Sequence, residues 1–114
     1  MGTAWEYSIV LSSLRVEKSH LDFLSQRLVQ VLNARVIVAD PPPLGLLLEC
    51  FDEERGQIRA DELVERLRAR LGVLPHQRAL VLVEGDGYVE GLNFVFGVAL
   101  EGWGGVVFTA RLRP

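Results

Sequence analysis

Two histidines, His20 and His76, are the first residues to weigh for metal chemistry, because neutral imidazole is the commonest metal ligand in proteins. A zinc-binding helix of the His-Glu-x-x-His type places two imidazoles on one face, with a glutamate base beside the metal. Neither histidine has that neighbourhood, and two histidines cannot supply three imidazole ligands. The sequence therefore holds no catalytic residues and no metal ligands as a set, and we expect this chain alone to be inactive.

Two aspartates and the single cysteine are the next candidates. Asp40 and Asp86 each follow a predicted strand, where ligands of open α/β sheets often bind, so together they could hold a metal or a ribose. Each also lies in a turn sequence that favours aspartate for structural reasons, which is the preferred explanation. Cys50 has no recognisable base partner and is expected in the core. The glycine-rich segment 85–91 lacks a P-loop lysine and predicts an ordinary loop.

Apolar periodicity indicates the elements that would position these residues. Helical spacing marks residues 19–32 and 60–71, and Gly72 is placed to cap the second helix in a left-handed conformation. Segment 44–58 is less regular. Short apolar runs rich in strand-forming residues predict five strands, at 7–11, 36–39, 79–83, 93–96 and 106–110.

The resulting order, β-α-β-α-β-β-β, predicts an α/β fold of three layers. Alternating strands and helices favour a mostly parallel twisted sheet of five strands, with 79–83 near its centre. The link from 83 to 93 is too short for a helical crossover, so the next strand should be an antiparallel edge strand. Residues 1–114 are expected to form a single domain around one core.

Composition excludes several classes of function. A net charge of −3 and a pI near 5.3 argue against a nucleic-acid partner, because such proteins usually carry a basic stripe. The clustered arginines alternate with acidic residues, as on a solvated helix face. No apolar run approaches the ~20 residues that span a bilayer, and no signal peptide is recognisable. We therefore expect no membrane partner and a cytoplasmic location.

Three segments in the second half of the chain carry a specific resemblance. Residues 51–58, Phe-Asp-Glu-Glu-Arg-Gly-Gln-Ile, resemble the Asp-x-x-Arg-x-Gln stretch of archaemetzincins, which are zinc metallopeptidases of the metzincin clan. Residues 91–99, Gly-Leu-Asn-Phe-Val-Phe-Gly-Val-Ala, are similar to that family's strand motif and follow an acidic loop with Asp86 and Tyr88. Residues 105–112 resemble the last strand before the family's catalytic helix. The fold predicted above agrees with a metzincin N-terminal sub-domain.

The resemblance implies a zinc site that lies outside these residues. A family member would carry His-Glu-x-x-His-x-x-Gly-x-x-His and a Met-turn shortly beyond Arg111, and this sequence contains neither. No catalytic residue, metal ligand or cofactor is therefore assigned to this chain, although zinc is implied for the intact family member. Gly87 and Val98 also depart from the family pattern, which leaves a diverged copy open.

The resemblance also implies a role for the antiparallel edge strand, which in a metzincin forms the upper rim of the cleft and pairs with an extended substrate. The main-chain groups of Phe94, Val95, Phe96 and Gly97 are the candidates for binding a peptide by strand addition. For the side chains of Phe94 and Phe96, simple filling of the core is the preferred explanation.

Two functions follow. The preferred one is the scaffold and cleft-roof half of an archaemetzincin-like zinc peptidase, which acts on peptide or protein substrates when intact and self-associates through an exposed apolar face when isolated. The alternative is a non-catalytic α/β module for peptide binding or assembly. A His-Glu-x-x-His motif encoded soon after Pro114 would favour the first, and an immediate stop codon the second.

Overall fold

The computed structural model describes residues 8–32 and 34–112. They form three helices and eight strands, in the chain order β1 (Ser8–Leu14), α1 (Lys18–Leu32), β2 (Arg35–Val38), α2 (Leu44–Glu49), β3 (Phe51–Asp52), β4 (Gln57–Arg59), α3 (Ala60–Arg70), β5 (Gln77–Val83), β6 (Gly87–Tyr88), β7 (Gly97–Leu100) and β8 (Gly104–Phe108). Tyr7, the predicted start of the first strand, lies outside the described residues. No helix in the described ranges is long and apolar enough to cross a bilayer.

The main sheet has five strands in the order β2-β1-β5-β8-β7. Pairs β1–β2, β1–β5 and β5–β8 are parallel, and only β7 runs antiparallel to its neighbour β8. The predicted α/β class, the central position of β5 and the antiparallel edge strand are thereby confirmed. The parallel order follows from the helices that link β1 to β2 and β2 to β5, because each crossover must return the chain to the same end of the sheet.

Side chains alternate between the two faces of this sheet, and each face has its own apolar cluster. The larger cluster packs Val81, Val83 and Phe108 against α2 and α3. Helix α3 contributes Leu63 and Leu67, both fully buried, at helical spacing. The smaller cluster, around Leu11, Leu21 and Leu82, lies under α1 on the opposite face.

A second, smaller sheet corrects the expectation of an irregular segment 44–58. Strands β3, β4 and β6 form it, with β4 between the other two, and α2 precedes it. Its strands have only two or three residues each, which is too short for an apolar repeat to show in the sequence. This sheet brings the acidic loop around Asp86 beside the segment around Gln57.

Two local predictions were wrong. The edge strand does not begin at residue 93 but at Gly97, and 93–96 is a loop held by an isolated bridge between Gly87 and Val95. Gly72 does not take a left-handed conformation. The end of α3 is instead bonded by the indole Nε1 of Trp103, which donates to the C=O of Leu71 at 2.6 Å.

Candidate functional site

Strand β7 offers an unpaired edge. It pairs with β8 on one side, and no strand among the described ranges pairs with its other side. The C=O of Phe96, just before β7, accepts the N–H of Phe108 at 2.8 Å. Because bonded and non-bonded positions alternate along an antiparallel ladder, the main-chain groups of Gly97 and Ala99 point toward the open edge.

Carbonyl positions between the two strands agree with this alternation. A Cβ atom at Gly97 would lie 2.6 Å from the carbonyl oxygen of Val106, and one at Gly105 would lie 3.0 Å from that of Val98. Both oxygens therefore lie between β7 and β8, as expected for a bonded pair of Val98 and Val106. The first distance also explains the glycine at position 97, because a larger residue would press on the backbone of β8.

The structure places the four residues proposed for main-chain binding in different situations. Gly97 lies on β7 itself, whereas Phe94, Val95 and Phe96 lie in the loop before it. The N–H of Val95 already donates to the C=O of Gly87 at 2.8 Å, and the C=O of Phe96 is engaged with β8. These two groups are therefore used within the chain, and the outward groups of Gly97 and Ala99 take their place as the candidates.

The loop before β7 is anchored from below by a buried glutamine. Gln57 is 7% exposed, and its Nε2 donates to the C=O of Asn93 at 2.8 Å and to Oδ2 of Asp86 at 3.0 Å. Its Oε1 accepts from Nε of Arg55 at 2.8 Å. Nη2 of Arg55 also reaches the carbonyl oxygens of Leu92 and Asn93. Every polar atom of the Gln57 amide is thus satisfied, which fixes the loop in one position.

Asp86 is shared between this anchor and an arginine far along the chain. Nε and Nη2 of Arg111 donate to Oδ1 and Oδ2 of Asp86 at 2.8 and 2.9 Å. The Arg111 guanidinium lowers the pKa of the Asp86 carboxyl, the Gln57 amide adds to that effect, and partial burial opposes it. The same guanidinium lies 4.0 Å from the ring centroid of Phe94. Asp86 is therefore an ionised structural anchor, as preferred from its turn sequence.

Tyr88 connects the second pair of motif residues. Its hydroxyl donates to Oδ2 of Asp52 at 2.7 Å, which lowers the pKa of Asp52 and raises that of Tyr88. The guanidinium of Arg55 lies 3.7 Å from the Tyr88 ring centroid, in cation–π contact. Asp52, Arg55, Gln57, Asp86 and Tyr88, which carried the resemblance, thus form one network below the loop that leads into β7.

The other candidates for chemistry are scattered. His76 is exposed, and His20 lines a cleft of about 450 Å³ between α1 and the sheet. Asp40 follows β2 and Asp86 follows β5, and β1 separates these strands, so the sheet does not place the two acids side by side. Cys50 is fully buried, and burial raises the pKa of its thiol. Residues 8–32 and 34–112 contain no group of three or more potential metal ligands, so the donor set does not fit zinc.

Sequence reasoning missed two features of this site. Ala99 lies in the strand motif of residues 91–99, but the motif does not identify it as a binding candidate, because its outward groups depend on the register between β7 and β8. Arg111 was noted only as part of the last strand motif, and its pairing with Asp86 spans 25 positions without any periodic signal. The arginine at the end of the apolar segment 105–110 was the only available hint.

The curated proteins that resemble this chain in sequence are archaemetzincins. No family model matches the chain. An archaemetzincin from Saccharolobus islandicus is 31% identical over 105 residues, covering 92% of this chain and 56% of that protein. An archaemetzincin from Sulfolobus acidocaldarius is 37% identical over 65 residues, covering 57% of this chain and 36% of that protein. The chain thus spans about half the length of the curated relatives that it matches, or less.

Solved structures agree with the sequence relatives. The crystal structure of an archaemetzincin from Archaeoglobus fulgidus, complexed with malonate, matches with a TM-score of 0.77 at 26% identity, covering 94% of this chain and 63% of that one. The crystal structure of an archaemetzincin from Methanopyrus kandleri matches with a TM-score of 0.72 at 29% identity, covering 96% of this chain and 61% of that one. On this sequence and structural similarity, the chain belongs to the archaemetzincin family and has its zinc-metallopeptidase-like fold.

Proposed function

We propose that this chain is the scaffold and cleft-roof half of an archaemetzincin-like zinc-dependent peptidase. The observation that carries the proposal is the open edge of β7, where Gly97 and Ala99 direct main-chain groups away from the sheet. An extended peptide that pairs with these two residues would gain hydrogen bonds without any requirement on its side chains. Peptide-bond hydrolysis would require the intact protein.

Zinc chemistry must come from residues other than those described. Because the donor set here does not fit the metal, no step of hydrolysis is assigned to this chain. Its own part is to bind the substrate main chain and to hold it straight along the sheet edge. The His-Glu-x-x-His motif that the family resemblance implies would supply the metal site.

One face of the main sheet is suited to pack against the part of the protein that would carry this motif. Helix α1 covers the face around Leu11 and Leu82, but Leu80 and Val107 remain only half-buried and Ala99 is exposed. Val98 and Leu100 pack on the opposite face, so the Ala99 side chain belongs to this one.

Across the strands, this face forms two short rows. Register pairs Leu80 with Gly105 and Gly105 with Ala99, and it pairs Leu82 with Val107 and Val107 with Gly97. Each row begins with a leucine and ends at the edge with a residue no larger than alanine, which leaves a shallow surface where another element can pack. We name the five of these residues that are not buried the open face: Leu80, Gly97, Ala99, Gly105 and Val107.

Complementation tests the catalytic part of the proposal. The chain would be co-expressed with the C-terminal region of the Saccharolobus islandicus relative, and cleavage of an internally quenched peptide would be measured with zinc present. We expect activity only when both parts are present, with the relative's own two parts as the positive control. If that control works and this chain never restores activity, the peptidase proposal is contradicted. The coding sequence after Pro114 supplies an independent check, since it should encode His-Glu-x-x-His.

A matched pair of variants tests the edge. Ala99→Pro removes the outward N–H and places a ring on the edge, whereas Ala99→Ser keeps the N–H and serves as the control. Losing one main-chain bond should weaken peptide affinity at least about fivefold, and the control should bind as wild type does. Binding with no metal motif in the coding sequence would instead support the non-catalytic peptide-binding module. Equal affinity for both variants would contradict binding at this edge. The cytoplasmic location stays a prediction.

A further inference from the structure

We propose that Arg111 is a positioning residue that holds the loop 89–96 through Asp86 and Phe94 and so sets where the peptide-binding edge of β7 begins. This inference rests on the proposed function of that edge. It assigns a role to a residue outside the edge strand, in the segment that follows β8.

The geometry forms a continuous path from Arg111 to the strand. Its guanidinium makes two bonds to Asp86, at 2.8 and 2.9 Å, and lies 4.0 Å from the centroid of the Phe94 ring. The Phe94 ring meets that of Phe96 edge to face, with centroids 5.2 Å apart and an interplanar angle of 82°. The C=O of Phe96 accepts the bond from Phe108 that opens the β7–β8 ladder. A displaced Arg111 would therefore displace the first rung of the edge strand.

Besides Arg111, two other side chains and one main-chain bridge hold the loop. Residues 90–93 are exposed, and 89–96 contains no helix or strand beyond the bridge at Val95. One of these side chains is Gln57, whose amide bonds the C=O of Asn93 and directs its second N–H to Asp86. The other is Arg55, which bonds the C=O groups of Leu92 and Asn93. Asp86 thus links Gln57 to Arg111, and the two bonds from Arg111 orient its carboxylate.

An arginine suits this position better than a lysine. The planar fork of the guanidinium matches both carboxylate oxygens of Asp86 while its central carbon lies over the Phe94 ring. An ammonium group is a point charge that reaches one oxygen and cannot stack in this way. Arg111→Lys should therefore keep the charge and lose the positioning.

The experiment compares Arg111→Lys and Arg111→Met with Arg68→Lys. Arg68 is also exposed and also pairs with a carboxylate, but that carboxylate belongs to Glu65 of its own helix α3 and not to the network that holds the loop. The measurements are amide hydrogen exchange along the chain, thermal unfolding, and affinity for a fluorescein-labelled blocked hexapeptide of alternating threonine and valine.

We expect faster exchange at the amides of Val95 and Val98 in both Arg111 variants, and peptide affinity weaker by about 3- to 30-fold. Tm should stay within about 5 °C of wild type, because an exposed ion pair adds little to global stability. Arg68→Lys should match wild type in all three measurements.

Two outcomes would overturn the inference. One is unchanged exchange and affinity in the Arg111 variants. The other is exchange that rises evenly over the whole chain with a large fall in Tm, which would indicate a purely structural role. If the wild-type chain itself fails to bind the hexapeptide, the proposed function fails, and the exchange at Val95 and Val98 still decides the positioning role.

Discussion

The hydroxyl of Tyr88 donates to the carboxylate of Asp52 at 2.7 Å, across 36 positions of sequence. The bond joins β6 to the last residue of β3, and Asp52 Oδ1 also accepts the N–H groups of Glu54 and Arg55 in the turn that follows. One carboxylate therefore closes its own turn and fixes a distant strand. These bonds favour the ionised form of Asp52, because a carboxylate is a stronger acceptor than a protonated carboxyl, and acid should therefore weaken the arrangement.

Acid should destabilise the chain through Asp52 and Asp86. Both carboxyls have a pKa below the ordinary value of 3.8 in the folded state, so the unfolded chain binds protons at a higher pH than the folded chain does. Their contribution to stability is complete above about pH 5 and is lost as pH falls through the lowered pKa values. Urea unfolding at a series of pH values from neutral to strongly acidic should show that the free energy of unfolding begins to fall just below about pH 4.5.

The variant Tyr88→Phe isolates the part of the acid-dependent loss of stability that is due to Asp52. The hydrogen bond from Tyr88 is the largest cause of the lowered Asp52 pKa, so its removal should lower stability at neutral pH and reduce the further loss in acid. Asp52→Asn should likewise reduce the acid-dependent loss. If Tyr88→Phe keeps the full pH dependence of wild type, the assignment to Asp52 is wrong.

Gly104→Ala should be strongly destabilising. Gly104 has a φ of 139°, in a region that suits glycine, and an added Cβ would collide with the carbonyl group of Ala79 on β5. Steric overlap and backbone strain together should cost about 2–4 kcal/mol in the free energy of unfolding. Chemical denaturation would measure this loss.

Gly72→Ala is the matched control. A Cβ at Gly72 would meet nothing within 4 Å, and its backbone conformation is open to alanine. The change should be neutral or stabilising by up to about 1 kcal/mol. Equal effects at the two glycines would show that the close approach of β8 to β5 is not as described.

Trp103→Phe should loosen the end of α3. Trp103 is 3% exposed, and its indole N–H satisfies the C=O of Leu71 just after the helix. Phenylalanine fills most of the same space but cannot donate, so the carbonyl loses its partner. We expect a loss of about 1–3 kcal/mol in unfolding free energy, with faster amide exchange in the last turn of α3. A loss below about 0.5 kcal/mol would indicate that water replaces the indole.

The main sheet was predictable because its strands are apolar and alternate with helices. Strand β5 is apolar on both faces, which marks a central strand, and the link after it is too short for a helical crossover, which predicts that the next strand of the main sheet runs antiparallel to the others. The start of the edge strand was not predictable. Residues 93–96 have the composition of a strand, but the bonds from Gln57 and Arg55 to the loop carbonyls arise only in the folded chain.

Prediction of the candidate site from the sequence has the same limit. Asp86 could be recognised as a turn residue from its neighbours, whereas its partner Arg111 lies 25 positions away with no periodicity between them. The prediction of the residue that caps the end of α3 was wrong for a similar reason. Gly72 follows α3 as a cap glycine usually does, yet Trp103 occupies that role from a distant turn. Local pattern predicts local structure, and the long-range polar contacts that define this site have no local pattern.

Self-association of the isolated chain is the last prediction, and it depends on the open face. The half-buried Leu80 and Val107 and the exposed Ala99 leave apolar surface that a copy of the same chain can cover. An isologous contact would place this patch against itself, so a charge within the patch would be brought close to the same charge on its copy. Ala99→Glu should therefore abolish dimers, whereas Ala99→Ser should leave them.

Sedimentation velocity over a range of chain concentrations would measure this association. Wild type and Ala99→Ser should both show a sedimentation coefficient that rises with concentration, and Ala99→Glu should stay monomeric with an unchanged Tm, because position 99 is exposed in the monomer. A wild-type chain that remains monomeric throughout would count against an open face built to meet a second part. Dimers that persist in Ala99→Glu would place the contact elsewhere, such as at the exposed Phe23 and Val31 of α1.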